Sequence, residues 1–400
     1  MKKGNILLAM LVCVAMLLPF DVLAESDHSV SKFKDVSDRH WAKVTIEQAI
    51  AKGYVSGYQD GTFRPDNNIT RAEVASIMDR VTKLMNGANP IVLPDMDKHW
   101  AKESVRRLIS MGVISASDYS KGFGPDKPIT RYELMKWMAS GLAQSDSTMA
   151  QALKDTKDTL LPTPESFTGA IKDAQIPYIA LVRGTGIISG YTDGSIKPSG
   201  QATRAEVLTM MMQYAKVEGS KADAYNDLNE MRAVGVEKTN LEWVTDYKFR
   251  RENKLTNIVG KTLSYPDLDI VIHRMIVVDL TTNEQKGLYA PLFVGKERKS
   301  NQKGFYYLFF ESTITRKTDV TDFLKLSGEI NRNNNMYDFM RVDDDVTKRL
   351  GLTVVPMDEP MKFLSKGTKR DIWSVGAIDS NEVVGIIKAS DGTEFSFGRP

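Results

Sequence analysis

Cysteine is almost absent from this 400-residue sequence, which contains only Cys13. A disulfide within the chain is therefore excluded, and so is a metal site built from several thiolates. An excess of one charge is also lacking, because 53 lysines and arginines stand against 51 acidic residues, for a net charge of +2. This balance excludes the overall positive field that drives non-specific binding to nucleic acids, so any bound anion needs a local site.

The apolar run at residues 6–18 is shorter than the roughly 20 residues that a membrane-spanning helix needs. Two lysines precede this run and small residues follow it, a pattern typical of a secretory signal peptide over residues 1–24. We therefore predict a secreted protein whose mature chain begins near Glu25 and has no membrane span. The alternative is permanent anchoring by this segment. Cleavage would also remove Cys13, so stability would depend on packing.

Length and a hydrophobic content of 42% predict two to four compact domains. Three copies of one sequence pattern occupy the first half of the chain, at residues 30–86, 91–143 and 152–217. From a shared glycine to a shared arginine the spacing is 18 residues in the first and third copies and 19 in the second. Each copy is predicted to be a pair of helices that shares a core with the others, since so short a unit cannot bury its apolar face alone.

Each copy contains a Thr-x-x-Glu box, which predicts the start of its second helix. In such a capping box the threonine hydroxyl and the glutamate carboxylate each accept a hydrogen bond from a backbone N–H at the helix start. The three boxes are Thr70 with Glu73, Thr130 with Glu133, and Thr203 with Glu206. Regularly spaced apolar residues follow each box. We assign these six residues a structural capping role.

The pattern resembles three tandem S-layer homology domains. The resemblance rests on the Thr-Arg-Ala-Glu boxes at residues 70–73 and 203–206, the Trp-Ala pairs that begin at Trp41 and Trp100, and the Gly-Tyr-x-Asp-Gly-x-Phe-x-Pro loop at residues 57–65. It implies an all-α helical bundle with pseudo-threefold symmetry over residues 30–217. By the same resemblance, such a bundle binds pyruvylated secondary cell-wall polysaccharide of Gram-positive bacteria, non-covalently, in the grooves between copies.

A pyruvate ketal presents one carboxylate on a neutral sugar, so its receptor needs a few aimed donors and a cation rather than bulk positive charge. Arg71, Arg131 and Arg204 each occupy the first helical position after a capping threonine. The amides at a helix start also favour an anion. We predict that these guanidinium groups hold the carboxylate. The alternative is that they form exposed ion pairs with nearby acids.

Residues around the loops are further candidates for contact with the polysaccharide. Trp41 and Trp100 could stack on a sugar ring or fill the core. Three aspartates that precede the first helices could accept sugar hydroxyls or cap those helices. They are Asp35, Asp95 and Asp155. The loops themselves add Tyr58, Asp60, Gly61, Arg64, Tyr191, Asp193 and Gly194, although a tight turn alone explains the two Asp-Gly pairs.

The three copies differ in ways that predict unequal grooves. The second copy has Gly124 where the first has Arg64 and the third has Lys197. A contribution of the second loop to polysaccharide binding is therefore less expected. The third copy has no tryptophan at the position of Trp41. It also carries an insert at residues 159–172 with two prolines, which predicts a surface loop. We therefore expect unequal binding at the three grooves, of which one could be inactive, while several contacts on one chain would raise avidity.

The second half predicts a different architecture. Residues 218–236 indicate a polar linker and a connecting helix, followed at residues 237–400 by an α+β domain with a mainly antiparallel sheet. Strands are predicted at residues 254–264, 268–280, 288–294, 305–315, 372–378, 383–389 and 394–397, and helices at residues 319–328 and 343–350.

Little in this second half predicts catalysis. It has no Gly-x-Ser-x-Gly, His-Glu-x-x-His or phosphate-loop motif, and its one histidine, His273, lies in an apolar strand-like run. Glu311 and Glu329 could form a glycosidase pair, but carboxylates are too common to support that assignment. The acidic residues 343–345 fit a helix start better than a calcium loop. No metal, cofactor or nucleic-acid partner is predicted.

We therefore predict a non-enzymatic protein anchored to the wall, whose second half mediates assembly or interaction with other surface proteins. One alternative is an enzyme that hydrolyses wall glycan or peptide, with catalysis in residues 237–400 and display by the anchor. Another is a small subunit of an S-layer lattice. A groove lined by two acids, or by a histidine and an acid, would favour the enzyme.

Overall fold

The computed structural model describes residues 33–85, 87, 91–282, 286–294, 304–319, 322–333, 336–339, 342–382 and 384–400. The predicted signal peptide at residues 1–24 lies outside these residues. Among the described helices, none combines the length and the apolar content that a membrane crossing requires.

Two helices form each of the three copies, and one further helix joins the second copy to the third. Their bounds are α1 Lys43–Ala51, α2 Arg71–Val81, α3 Lys102–Ser110, α4 Arg131–Ser145, α5 Ser147–Asp155, α6 Ile176–Gly184 and α7 Arg204–Val217. A glycine in left-handed backbone follows the first helix of each copy, namely Gly53, Gly112 and Gly186, with φ of 70°, 74° and 74°. Because other residues are strained in this conformation, glycine ends these helices at low cost.

The second helix of each copy begins at a capping box. The hydroxyls of Thr70, Thr130 and Thr203 accept a hydrogen bond from the N–H of the glutamate three residues later. In return, that glutamate carboxylate accepts from the threonine N–H at 2.9, 3.0 and 2.9 Å. Two donors that a helix start leaves without a partner are thereby satisfied in each copy.

Replacing Thr130 by valine is expected to lower the free energy of unfolding by about 1 kcal/mol. Valine keeps the shape of the side chain but removes the hydroxyl that accepts the Glu133 N–H at 3.2 Å. Urea denaturation of the full chain measures the change. The control is Thr192→Val in an exposed loop, with an expected effect within about 0.5 kcal/mol. Equal losses in the two variants would contradict the capping role.

The extended segments that lead into the capped helices hydrogen-bond to one another in a closed cycle. The Ile129 N–H donates to the Ile69 carbonyl at 3.0 Å, the Ala202 N–H to the Ile129 carbonyl at 3.2 Å, and the Ile69 N–H to the Ala202 carbonyl at 3.2 Å. The three side chains are almost completely buried. Each copy is therefore bonded directly to the other two.

The second half contains six helices and seven strands within the described residues. They are α8 Asn226–Glu237, α9 Leu241–Val244, β1 Lys248–Phe249, β2 Thr262–Ser264, β3 Leu268–Asp279, α10 Ala290–Phe293, β4 Phe305–Arg316, α11 Phe323–Asn333, α12 Asp344–Leu350, α13 Pro360–Phe363, β5 Lys369–Asp379, β6 Val384–Lys388 and β7 Glu394–Gly398. One antiparallel sheet has the strand order β2-β3-β4-β5, and the other has the order β1-β7-β6. The strands predicted at residues 268–280, 305–315, 372–378, 383–389 and 394–397 are confirmed.

The strand predicted at residues 288–294 is wrong, because this segment contains α10. Pro291 lies in the first turn of α10, where its missing N–H costs nothing, whereas a strand ladder needs that donor. Within residues 254–264 only β2 is a strand. The helix predicted at residues 319–328 begins later, at Phe323, and the one predicted at residues 343–350 is capped by the Asp343 side chain.

The predicted fold class, an all-α bundle followed by a separate α+β domain, is wrong. The described residues form a mixed α/β fold with 13 helices and two antiparallel sheets. One buried apolar cluster continues from the repeats, for example from Ile77, into the large sheet at Phe309 and Val375. The sheet buries part of its apolar face against the third copy, so neither half completes its core alone. The predicted domain boundaries stay predictions.

The insert at residues 159–172 is partly buried, so its prediction as a surface loop is wrong. Leu161 is 2% exposed, and the Tyr289 hydroxyl donates to the Leu160 carbonyl at 2.6 Å. The Phe167 ring lies 5.6 Å from that of Trp373 on β5. Burial of these apolar side chains outweighs the loop tendency of the two prolines. The insert therefore joins the third copy to the large sheet.

Candidate functional site

Each arginine that follows a capping threonine forms an ion pair with the capping glutamate of another copy. We call each place where two copies meet through such a pair a junction. Measured from a guanidinium nitrogen to Oε1, the three pairs are Arg71 with Glu133 (2.6 Å), Arg131 with Glu206 (3.1 Å) and Arg204 with Glu73 (3.3 Å). The arginine side chains are 18%, 5% and 8% exposed, in the same order. These are therefore largely buried pairs that link copies, rather than open cations or exposed surface pairs.

Each junction glutamate bonds in two directions, as Glu206 illustrates. Its Oε2 accepts from the Thr203 N–H at 2.9 Å, within its own capping box. Its Oε1 accepts from Arg131 Nη1 at 3.1 Å and from the Tyr191 hydroxyl at 2.8 Å. From the sequence this glutamate is predicted to serve in capping alone, because its arginine lies 75 residues away in another copy.

At the junctions, backbone N–H groups at the helix starts are already hydrogen-bonded to backbone carbonyls. The N–H groups of the arginine and of the next residue donate to carbonyls of a neighbouring copy in all three helices. These bonds run from Arg71 to Lys127 (2.9 Å), Ala72 to Pro125 (3.0 Å), Arg131 to Gly200 (2.8 Å), Tyr132 to Pro198 (2.9 Å), Arg204 to Asn67 (2.9 Å) and Ala205 to Pro65 (2.9 Å). The amides that the sequence analysis assigned to an anion are therefore already occupied.

A tyrosine hydroxyl completes each junction, and we number the junctions by the copy that supplies this tyrosine. Tyr58 donates to Glu73 at 3.1 Å, Tyr119 to Glu133 at 3.3 Å and Tyr191 to Glu206 at 2.8 Å. Burial raises the pKa of the Tyr58 and Tyr191 phenols, so both remain protonated donors. Sequence reasoning missed Tyr119, which follows its glycine by seven residues, whereas the other two tyrosines follow theirs by five.

The first and third junctions carry a second, exposed cation over the tyrosine ring. Arg64 Cζ lies 4.0 Å from the centroid of the Tyr58 ring, and Lys197 Nζ lies 4.0 Å from that of Tyr191. Both cationic residues have left-handed backbone, with φ of 59° and 47°. This conformation costs a non-glycine residue on the order of 1 kcal/mol, and such strain is concentrated at functional positions.

The loop backbone at these positions is fixed by a carboxylate that precedes it in the chain. Asp35 accepts from the N–H groups of Phe63 (2.8 Å) and Arg64 (2.6 Å). Asp95 makes the same pair of bonds in the second copy, to Phe123 (2.8 Å) and Gly124 (2.7 Å). The two aspartates therefore shape the loop instead of capping a helix.

The third copy uses a different carboxylate from the one predicted. Glu165 accepts from the N–H groups of Ile196 (2.8 Å) and Lys197 (2.9 Å). Asp155 instead lies at the end of α5 and pairs with Arg232 of α8 at 2.9 Å. Its predicted equivalence to Asp35 is wrong, because the insert moves α5 away from the loop and brings Glu165 into its place.

Asp60 and Asp193 fold the turns that carry the exposed cations. Their Oδ1 atoms accept from the N–H groups of Thr62 and Ser195, each at 2.9 Å. Hydrogen bonds from Thr62 and Arg64 lower the pKa of Asp60 to about 2. Left-handed backbone at Gly61 and Gly194, with φ of 78° and 81°, completes the turns. Contact of these residues with a sugar stays a prediction.

Trp41 and Trp100 lie at the surface, immediately before α1 and α3. They are 61% and 63% exposed, which excludes the alternative that they fill the core. Each ring lies beside that of the preceding histidine, with centroids 5.9 Å apart for His40 and 5.3 Å apart for His99. Both indoles therefore keep a large accessible surface on which a sugar ring could stack.

The family model of the S-layer homology domain matches residues 32–75, 93–135 and 170–208. The chain carries three S-layer homology domains. Each match contains one capping box and one junction arginine, so the junctions lie between these domains. The third match begins at residue 170, near the end of the insert, so most of the insert lies outside the matched part of the third domain.

Curated relatives of this chain include an anchoring protein, an S-layer protein and an enzyme. A cellulosome-anchoring protein of Acetivibrio thermocellus is 34% identical over 127 residues, or 30% of this chain and 28% of that protein. The S-layer protein EA1 of Bacillus anthracis is 24% identical over 256 residues, or 63% of this chain and 26% of that protein. An amylopullulanase of Thermoanaerobacterium thermosulfurigenes is 24% identical over 189 residues, or 47% of this chain and 10% of that protein. The matches thus span about a quarter or less of each of these relatives.

Beyond the S-layer homology domains, a cavity of about 380 Å³ lies between the insert and the large sheet, lined in part by Glu311, Asp371 and Arg274. Glu311 pairs with Arg274 at 3.3 Å. Asp371 accepts from the Thr313 hydroxyl at 2.5 Å, and that hydroxyl lies 2.7 Å from His273 Nε2. Glu329 is not among the lining residues, so Glu311 and Glu329, already judged an unsupported glycosidase pair from the sequence, do not meet in this cavity. The two lining acids and the histidine therefore bond to side chains of neighbouring strands.

Proposed function

We propose that the three S-layer homology domains anchor this protein non-covalently to the cell wall of a Gram-positive bacterium, by binding pyruvylated secondary cell-wall polysaccharide at the junctions. The observation that carries the proposal is the pair of exposed cations, Arg64 and Lys197, held over tyrosine rings on strained backbone. The names of two relatives, a cellulosome-anchoring protein and an S-layer protein, support attachment at the cell surface.

A ketal carboxylate fits the exposed cation better than the buried one. Arg204 already has the carboxylate of Glu73, and displacing that partner would leave a buried charge without compensation. Arg64 would lose only an exposed pair with Asp60, which contributes less than about 1 kcal/mol. We therefore assign contact with the ketal to the exposed cations and positioning of the junction to the buried arginines. The exposed indole of Trp41 supplies a surface for the sugar ring.

Wall binding tests this assignment with the full chain and purified cell walls. The Arg64→Gln/Lys197→Gln variant is expected to bind about tenfold less tightly or worse, since a hydrogen bond to a charged group contributes about 1.5–3 kcal/mol. Chemical removal of the pyruvate ketal is expected to abolish binding of the wild type. Lys52→Gln, at an exposed lysine after α1, is the matched control and should bind as the wild type does.

Two outcomes would contradict the proposed function. One is undiminished binding to walls that have lost the ketal, which would mean that another wall component is recognised. The other is retention on walls by the Arg64→Gln/Lys197→Gln variant at wild-type strength. Circular dichroism of each variant confirms that the fold is retained, because neither cation belongs to a buried ion pair.

For residues 237–400 we propose a role in assembly or in interaction with other surface proteins. The cavity beside Glu311 and Asp371 is lined by two acids, which is the feature that would favour an enzyme. However, the Glu311 charge is compensated by Arg274 and Asp371 is held by Thr313. A general acid or a nucleophile needs a carboxylate that is free to exchange its proton or attack, so these contacts favour interaction over hydrolysis.

A further inference from the structure

Equivalent positions in the three loops share one unusual backbone conformation. Arg64, Gly124 and Lys197 follow the phenylalanine or isoleucine of their loops, and their φ angles are 59°, 62° and 47°. Glycine adopts this conformation at low cost, but arginine and lysine do not. That two of the three copies keep a cation here despite the strain indicates that the cation is useful at this place. The second copy, with Gly124, then lacks a side chain that the other junctions have.

The space of that missing side chain is filled by Lys127. A Cβ atom built on Gly124 would lie 2.9 Å from Lys127 Cδ and 3.3 Å from Lys127 Cε. It would also lie 3.0 Å from Nη1 of Arg71, the buried arginine of the same junction. The methylene groups of Lys127 therefore lie over Gly124, where the side chain of an equivalent arginine or lysine would begin.

Backbone bonds fix Lys127 at the second junction. Its N–H donates to the Gly124 carbonyl at 3.0 Å, and its own carbonyl accepts from the Arg71 N–H at 2.9 Å. The side chain is exposed, and among the described residues no carboxylate lies within ion-pair distance of its ammonium. The equivalent positions in the other copies are Asn67 and Gly200, neither of which is a cation. Each copy thus has a cation at one of these two equivalent loop positions, and that cation is exposed.

We propose that Lys127 is the anion-binding cation of the second junction, where it replaces in space the side chain that Gly124 lacks. All three junctions then bind the acidic sugar, in contrast to the expectation that the second loop is the weak one. This inference rests on the proposed function. It adds a specificity-determining residue that lies three positions after Gly124, the loop position equivalent to Arg64 and Lys197.

Calorimetry with the full chain isolates the second junction. The titrant is pyruvylated wall polysaccharide cut to short oligosaccharides. The background variant is Arg64→Gln/Lys197→Gln, which leaves Lys127 as the one cation among the equivalent loop positions 64, 67, 124, 127, 197 and 200. We expect this background to retain one binding site per chain. Adding Lys127→Gln is expected to weaken that site at least tenfold, whereas adding Lys121→Gln, at an exposed lysine of the same loop, should leave it unchanged.

A swap variant tests the spatial replacement itself. Gly124→Lys combined with Lys127→Asn reproduces the arrangement of the first copy, with the cation on the left-handed residue and asparagine three positions later, and should restore binding to within about threefold. If the wild type binds and the background variant does not, the inference about Lys127 is overturned while the proposed function stands. If the site survives Lys127→Gln, the inference is overturned as well. If the wild type fails to bind the oligosaccharides, the proposed function itself is overturned.

Discussion

Replacing Arg131 by methionine is expected to lower the free energy of unfolding by about 3–5 kcal/mol, the usual cost of removing one partner of a buried ion pair. The Arg131 side chain is 5% exposed and pairs with Glu206, and its Nε donates to the Ile196 carbonyl at 2.9 Å. Methionine would leave the glutamate charge and that carbonyl without their partner. Guanidinium chloride unfolding of the full chain measures the loss.

Two further variants separate this effect from a general loss of charge. Arg106→Met removes a pair with Glu103 whose side chains are 32% and 66% exposed, and should cost less than about 1 kcal/mol. Arg131→Met with Glu206→Gln removes both charges and should recover part of the stability, because no buried charge remains unpaired. If Arg131→Met costs no more than Arg106→Met and yet abolishes wall binding, Arg131 contacts the ligand directly and the assignment of the buried arginines to positioning is wrong.

The helix positions of the junction residues could be predicted from the sequence, but most of their ion-pair and hydrogen-bond partners could not. The repeat placed Arg131 at the first helical position and Glu206 in a capping box, and both positions are found in the structure. Their pairing was hidden because it joins different copies, and no local spacing encodes a contact over 75 residues. Tyr119 was hidden by a loop of altered length, and Glu165 by an insert that no other copy contains. Local rules therefore predict the elements of the site, while contacts between copies decide its electrostatics.

The same distinction applies to the fold. Long strands with a clear apolar pattern, such as β3 and β4, could be predicted from the sequence because the pattern persists over 12 residues in each. The short segment at residues 288–294 has an apolar run that fits a strand or a buried helix equally well, and only Pro291 argues for the helix. The predicted fold class was wrong for a related reason. The sequence does not indicate that the apolar residues of the insert pack against a sheet more than 100 residues away.

Replacing Phe293 by alanine is expected to destabilise the protein by about 3–5 kcal/mol, because it leaves a cavity where three parts of the chain meet. Phe293 is 2% exposed. Its ring stacks on that of Phe309 of β4 with centroids 4.5 Å apart, lies 5.3 Å from that of Trp373 of β5, and meets the ring of Phe167 of the insert edge-on at 6.0 Å. Differential scanning calorimetry of the full chain measures the change.

The calorimetric profile also shows whether the insert makes the two halves unfold together. Because one buried cluster runs from the repeats into the sheet, the wild type is expected to unfold in a single transition, and Phe293→Ala is expected to separate it into two. Phe293→Leu keeps most of the buried volume, so it should cost less and preserve the single transition. Two transitions in the wild type, of which Phe293→Ala shifts only one, would contradict a shared core. In a protein held to a wall by its repeats, that shared core would make the second half a rigid extension of the anchor rather than a tethered domain.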